Sequence, residues 1–228
     1  MAFRYENVVP WGRSHEEYLR MFDLSPDDMK GRILGCADGP ASFNSELTRR
    51  GGRVVSVDPL YEFSADGIAQ RIEETRDEVI SQTRREQHRF VWDTIGSVEE
   101  LARIRMAAMK AFLDDYEAGK SDGRYLAAGL PELPFEDQEF DLALSAHLLF
   151  FYADQLPLEF HRAGLLELCR VAREVRIFPL VDVNGVRSRH LEPVLDELGS
   201  TGLDTEIREV RYEFQRGGNQ MLSIRARE

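Results

Sequence analysis

Short apolar runs alternate along this chain with longer segments in which apolar residues recur every three or four positions. The runs at 32–36 (RILGC) and 53–57 (RVVSV) are brief and nearly continuous in apolar character. Both predict strands buried on both faces of a parallel sheet. A helix is expected between them over 40–50, stopped by Gly51 and Gly52. Upstream, Ser14 and Glu17 form a capping box that opens a helix with Tyr18, Leu19, Met21 and Phe22 on its apolar face. Further on, 140–145 and 174–178 read as strands, the second ended by Pro179, and 158–172 and 188–198 as helices. The tail reads as an antiparallel hairpin, 204–214 and 220–227 around a turn at 215–219.

The connection after residue 57 is long, because the next strand begins near Tyr125. Residues 64–118 carry helical spacing instead. Ile68, Ile72, Val79 and Ile80 mark one face. Ser97 and Glu100 make a second capping box, followed by Val98, Leu101, Ile104, Ala108, Phe112 and Leu113. The mixed Arg and Glu of 70–89 read as a solvated face. One crossover helix would complete a βαβ unit, so 64–123 reads as a helical insertion between the second and third strands. Alternation of strands and helices predicts an α/β fold, a doubly wound and mostly parallel sheet, in a single domain spanning 1–228 with residues 1–30 as a helical cap.

Composition narrows the partners. The formal charge is −12, from 29 basic and 41 acidic residues. Phosphate backbones need clustered Lys and Arg, so neither nucleic acid nor an anionic membrane is expected as the main partner. Cys36 and Cys169 lie in apolar runs and are expected as buried free thiols, which suits a cytoplasmic protein. The first residues show no apolar leader, and no run approaches the ~18 apolar residues of a membrane span. The histidines and cysteines show no zinc-ligand spacing, and no metal is expected.

In an open α/β sheet, ligands bind beyond the carboxyl ends of the strands. The turn after the first strand is GCADGPA, with small residues at Gly35, Ala37, Gly39 and Ala41 that let a ligand approach the backbone. The second strand ends in Asp58, a carboxylate placed to accept both hydroxyls of a ribose. A nicotinamide fingerprint, Gly-x-Gly-x-x-Gly, fails from either Gly35 or Gly39.

With this turn, the strand-end acid and the terminal hairpin, the chain resembles the class I S-adenosylmethionine-dependent methyltransferases over residues 30–227. The resemblance implies a seven-stranded sheet ending in an antiparallel hairpin, and S-adenosylmethionine as cofactor. Laid on ILGCADGPASF, the family's acid-x-Gly-x-Gly-x-Gly motif puts the acid at Gly35 and the glycines at Ala37, Gly39 and Ala41, so only Gly39 is kept. Asp58 takes the place of the ribose-binding acid, followed by Pro59 and Leu60 where an apolar residue packs on adenine. The stretch LPFEDQEFDL at 133–142 resembles the lead into the fourth strand. The acid that holds the adenine amino group would fall at Gly129, beside Leu130. Asp38 either supplies the missing carboxylate to the methionine ammonium or is a solvated turn residue.

The resemblance places the residues after the fourth strand, from Ser145 and His147 to Tyr152, against the reactive methyl group. His147 is the candidate general base, with a helix-start packing role as its alternative. Residues 148–152 read as core, although Tyr152 could position an acceptor. His161 and His190 read as surface residues, and Arg13 as a surface arginine or a partner of the methionine carboxylate. The expected activity is methyl transfer to a small molecule, with a non-catalytic cofactor binder as the alternative. For the insertion, two readings stand: a lid that also makes a homodimer contact, or a helical pair packed permanently on the sheet edge.

Overall fold

The computed structural model describes residues 9–227. Residues 1–8, which belong to the predicted cap and to the segment read as lacking a leader, lie outside the described residues, as does residue 228. Strands β1 (Arg32–Cys36), β2 (Arg53–Val57), β3 (Tyr125–Leu126), β4 (Phe140–Ala146), β5 (Ala172–Phe178), β6 (Leu203–Glu209) and β7 (Gln220–Ala226) form one sheet. The order is β3-β2-β1-β4-β5-β7-β6. Strands β1 to β5 pair in parallel, and β7 runs antiparallel to β5 and β6. The chain winds outward from β1 to β3 and returns to β4, which leaves a switch point between β1 and β4.

Helices α1 (His15–Met21), α2 (Phe43–Arg49), α3 (Ala65–Arg85), α4 (Val98–Ser121), α5 (Leu158–Val171) and α6 (Leu191–Gly199) cover the sheet. Successive side chains of a strand point to opposite faces. Ile33 accordingly joins Tyr18, Phe43 and Leu142 under α1 and α2. Leu34 joins Leu165, Val175 and Val194 under α5 and α6. That double burial is why β1 and β2 carry no polar face and why their limits match the sequence expectation. Both expected capping residues act: the Ser14 and Glu17 side chains cap reciprocally, and the Ser97 hydroxyl accepts from Glu100 N–H at 3.1 Å. Among the described residues, no helix is long and apolar enough to cross a membrane.

The insertion is two long helices. Ile68 and Ile72 of α3 pack with Met109, Phe112 and Tyr116 of α4 and with Tyr125 at the β3 edge. Helix α4 is also fixed to the N-terminal cap. Arg105, wholly buried, pairs with the Glu17 carboxylate of α1, which also accepts from the Tyr212 hydroxyl at 2.7 Å. The fold thus ties cap, insertion and β6–β7 connection together through one buried carboxylate.

Several element limits differ from expectation; β5, for one, already begins at Ala172. Helix α2 starts at Phe43, not at 40, because residues 40–42 form a floor for the cap: Ser42 N–H donates to the Arg13 carbonyl at 3.0 Å. A Cβ at Gly12 would lie 2.0 Å from the Pro40 carbonyl oxygen, so only glycine fits there. Helix α6 starts at Leu191, not at 188, because Ser188 N–H is engaged by the Leu180 carbonyl. Strand β6 ends at Glu209, well before 214. Tyr212 leaves the sheet for Glu17, and Phe214 stacks on Phe90 with ring centres 4.6 Å apart.

Candidate functional site

A cavity of about 980 Å³ opens beyond the carboxyl ends of β1, β2 and β4, at the switch point. Its inner wall is the turn after β1. Ala37 (φ +62°) and Gly39 (φ +53°) both sit in the left-handed region, which turns the backbone sharply towards α2. At Gly39 the space where a side chain would stand is open, with only an Asp58 oxygen at 3.9 Å. Asp58 closes the turn from below. One carboxylate oxygen accepts from Gly39 N–H and the other from Leu60 N–H, each at 2.8 Å. Burial raises the Asp58 pKa, and the two N–H donors oppose that rise. Each oxygen keeps further acceptor capacity, and the residue lines the cavity.

Asp38 is not a solvated turn residue. It is buried, and its oxygens accept from the Tyr18 hydroxyl (2.8 Å) and the Ser56 hydroxyl (2.6 Å). Burial pushes its carboxyl up to about 6, Ser56 and Tyr18 hold it down, and nearby Asp58 adds to the rise. Its carboxylate lies over Gly35: a Cβ there would come 1.8 Å from one oxygen. The glycine at the motif's acid position therefore makes room for an acid three residues on. Gly35→Ala should push Asp38 off both hydroxyls and destabilise the fold by roughly 1–3 kcal/mol. Thermal melting checks this, and an unchanged midpoint would show that Asp38 can move freely.

The sequence candidates divide on this geometry. Ala37, Asp38, Gly39, Asp58, Pro59, Leu130 and His147 all line the cavity. Gly35 and Ser145 do not; both are buried behind the wall, and the Ser145 hydroxyl has no hydrogen-bond partner. Gly129 stands on the wall without its acid, where a Cβ would press to 3.3 Å from the Pro59 ring.

His147 follows β4 directly, in the left-handed region (φ +57°), with its N–H donated to the Phe178 carbonyl at 2.7 Å. A non-glycine residue there costs of order 1–3 kcal/mol and persists where neighbours over-determine it. Its ring lies edge-on between Phe151 and Phe178, and Nδ1 is buried without a partner. Burial holds the imidazole well below its usual pKa, and the charges of Arg13 and Arg105 add to the effect. All three effects favour the neutral ring over the protonated one. Arg13 is no plain surface arginine: it lines the cavity, donates to the Trp11 carbonyl at 2.7 Å, and leaves Nε buried without a partner.

Other expectations are corrected. His161 is fully buried, with its Nδ1 at 3.0 Å from the Pro157 carbonyl. Its position four residues before Leu165 on one helical face carried that signal. Tyr152 is 40% exposed and lines the cavity, so it is not core. The face of 70–89 is only partly solvated: Val79, Thr83, Glu86 and Arg89 line the far wall of the cavity. Arg89 donates to Glu86 (2.6 Å) and to the Val183 carbonyl (2.7 Å). Val91 N–H donates to the Phe214 carbonyl at 2.7 Å, which ties the end of the insertion to the β6–β7 connection. Sequence reasoning missed that connection, whose Tyr212, Phe214 and Gln215 complete the wall.

Comparison with known proteins places the chain. No family model matches it. It is 32% identical over 226 residues to the uncharacterized protein MJ0045 of Methanocaldococcus jannaschii, covering 97% of this chain and 99% of that protein. Among solved structures, the PH0226 protein of Pyrococcus horikoshii is similar at 14% identity and a TM-score of 0.49, over 99% of this chain and 100% of that one. The magnesium protoporphyrin IX methyltransferase of Synechocystis with bound SAM is similar at 12% identity and a TM-score of 0.43, over 89% and 72%. A SAM-dependent methyltransferase of Aquifex aeolicus is similar at 16% identity and a TM-score of 0.40, over 91% and 90%. The chain has the seven-stranded sheet with an antiparallel terminal hairpin that its sequence led us to expect, and it belongs to the same family as protein MJ0045 of Methanocaldococcus jannaschii.

Proposed function

We propose that the protein is an S-adenosylmethionine-dependent methyltransferase acting on a small molecule. The observation that carries this reading is Asp58: a carboxylate fixed by two backbone N–H groups, with acceptor capacity left over, facing a cavity beside the open side of Gly39. The residues fit the cofactor. Asp58 accepts the ribose hydroxyls, Pro59, Leu60 and Leu130 offer an apolar seat for adenine, and Asp38 offers its charge to the ammonium group. When bound, the cofactor supplies a methyl group on a sulfonium. The chain's own part is to orient the acceptor, exclude water and, at His147, take up the acceptor's proton.

The cavity continues past His147 to the far wall, leaving room for a second molecule, which favours an enzyme over a non-catalytic binder. At 980 Å³ it stands at the upper end of the ~300–1,000 Å³ range of small-molecule sites. The −12 charge supports a small-molecule acceptor over a nucleic acid.

Calorimetry with S-adenosylhomocysteine tests the reading. The wild-type protein should bind it, and Asp58→Ala should weaken binding at least ~10-fold, since a hydrogen bond to a charged group contributes about 1.5–3 kcal/mol. No binding at millimolar ligand would overturn the function; unchanged affinity in the mutant would move the ribose elsewhere.

A further inference from the structure

The far half of the cavity is not needed for the nucleoside, and its chemistry is distinct. Several of the aromatic residues on the cavity wall belong to this half, among them Trp11, Phe90, Phe151, Tyr152 and Phe214. None of these five is fully buried, so each keeps ring surface that the protein itself does not cover. Core aromatics elsewhere in the molecule, such as Phe22, Phe43 and Phe112, are 0% exposed.

The rings are also held in place. Phe90 and Phe214 stack nearly parallel, at 9°, and Trp92 meets them edge-on at 6.0 and 5.5 Å from behind. Backbone hydrogen bonds from Val91 to Phe214 and from Arg216 to Arg89 fix the two chain segments together. Phe151 lies edge-on to both His147 and Tyr152. Glu86 and Arg89 pair with each other, while the side-chain amides of Gln82 and Asn184 have no partner among the described residues. Pre-set rings and side-chain amides form a surface for a flat ring system. A flexible aliphatic chain would gain nothing from ring orientation, and the unpaired charge of the cavity, Arg13, acts on His147 and Tyr152.

We propose that the methyl acceptor is a planar aromatic or heteroaromatic small molecule, seated against Phe90, Phe214 and Phe151 with its acidic O–H or N–H towards His147. This rests on the methyltransferase reading for the name "acceptor", but the seat itself is a property of the free protein. Aromatic pairs gain from offset-stacked and edge-to-face contacts beyond the area they bury.

Calorimetry with a naphthol and its saturated analogue decalol, on the full chain with and without S-adenosylhomocysteine, tests the seat. The two probes share a fused ten-carbon skeleton and a hydroxyl; the naphthol alone is flat and aromatic with an acidic O–H, and the Phe214→Leu and Phe151→Leu substitutions separate ring contact from acidity. The protein should prefer the naphthol by about tenfold. Phe214→Leu combined with Phe151→Leu keeps apolar bulk and should collapse that preference to within about twofold, while S-adenosylhomocysteine affinity stays as in the wild type. Because that affinity is measured in the same variant, a misfolded protein is recognised. Single variants at either position, each expected to lose part of the preference, then take its place. Equal affinity for both probes in the wild type, no naphthol binding, or a preference that survives both substitutions would overturn the aromatic seat. Absence of S-adenosylhomocysteine binding with the preference intact would overturn the cofactor reading and leave the seat standing.

Discussion

Replacing Arg105 by Met is expected to cost about 3–5 kcal/mol of folding stability, because it leaves the Glu17 carboxylate buried without its cation. Arg105 is 0% exposed and Glu17 is 2% exposed, so water cannot take over. The pair also joins three segments that are remote in sequence: the cap, the insertion and, through Tyr212, the β6–β7 connection. Urea or thermal unfolding would measure the loss. The double substitution Arg105→Met with Glu17→Met should recover most of it, since a buried pair replaced by apolar groups is often neutral in stability. A single variant as stable as the wild type would show that the carboxylate has another outlet.

The same pair sets an acid limit. Burial alone would raise the Glu17 pKa, but the charge and hydrogen bond of Arg105, then Arg13 and the Ser14 N–H, outweigh it and hold the carboxyl at about 2, against 4.5 unfolded. A lowered native pKa stabilises the fold fully above the unfolded value and loses that contribution as pH falls towards the native one. Stability should therefore decline between about pH 4.5 and 2, and this portion of the decline should vanish in the double variant.

The second large effect concerns His147. In its proposed role as proton acceptor it should, on substitution by Ala, lower turnover by ~10²–10⁴ and leave S-adenosylhomocysteine affinity nearly intact. Its imidazole is kept neutral by burial and by Arg13 and Arg105, so the acidic limb of the rate profile should lie below the ordinary histidine value of ~6.5. Arg13→Met should move that limb upward. A loss confined to cofactor affinity would make His147 a binding residue, and a limb unmoved by Arg13 would show that burial acts alone.

Much of this architecture was legible in the chain. β1 and β2 announced themselves because burial on both faces leaves no polar position to blur their ends. Asp58 was legible as a cavity residue because an acid directly after such a strand stands at the sheet's carboxyl edge; that it also caps Gly39 and Leu60 N–H was not. The far wall was harder to read. Val79 and Thr83 continue the stripe of Ile68, Ile72 and Thr75, but past the sheet edge that stripe faces a cavity. The alternation of Val210, Tyr212 and Phe214 imitates a strand, although Tyr212 and Phe214 are drawn to partners on α1 and beside α3, contacts made over long sequence separations. Arg105 did leave a trace: it stands in the apolar stripe of Leu101, Ala108 and Phe112, where a charge must have a buried partner. Which partner, the stripe does not say.

The exchange between Gly35 and Asp38 bears on how such sites are compared. The Asp38 carboxylate fills the space that a side chain at Gly35 would take, over the middle of β1, and Ser56 holds it there. An acid carried on the turn thus occupies the volume of a residue on the strand, three places earlier in the chain. Read position by position, residue 35 shows no acid; read by volume, a carboxylate stands there.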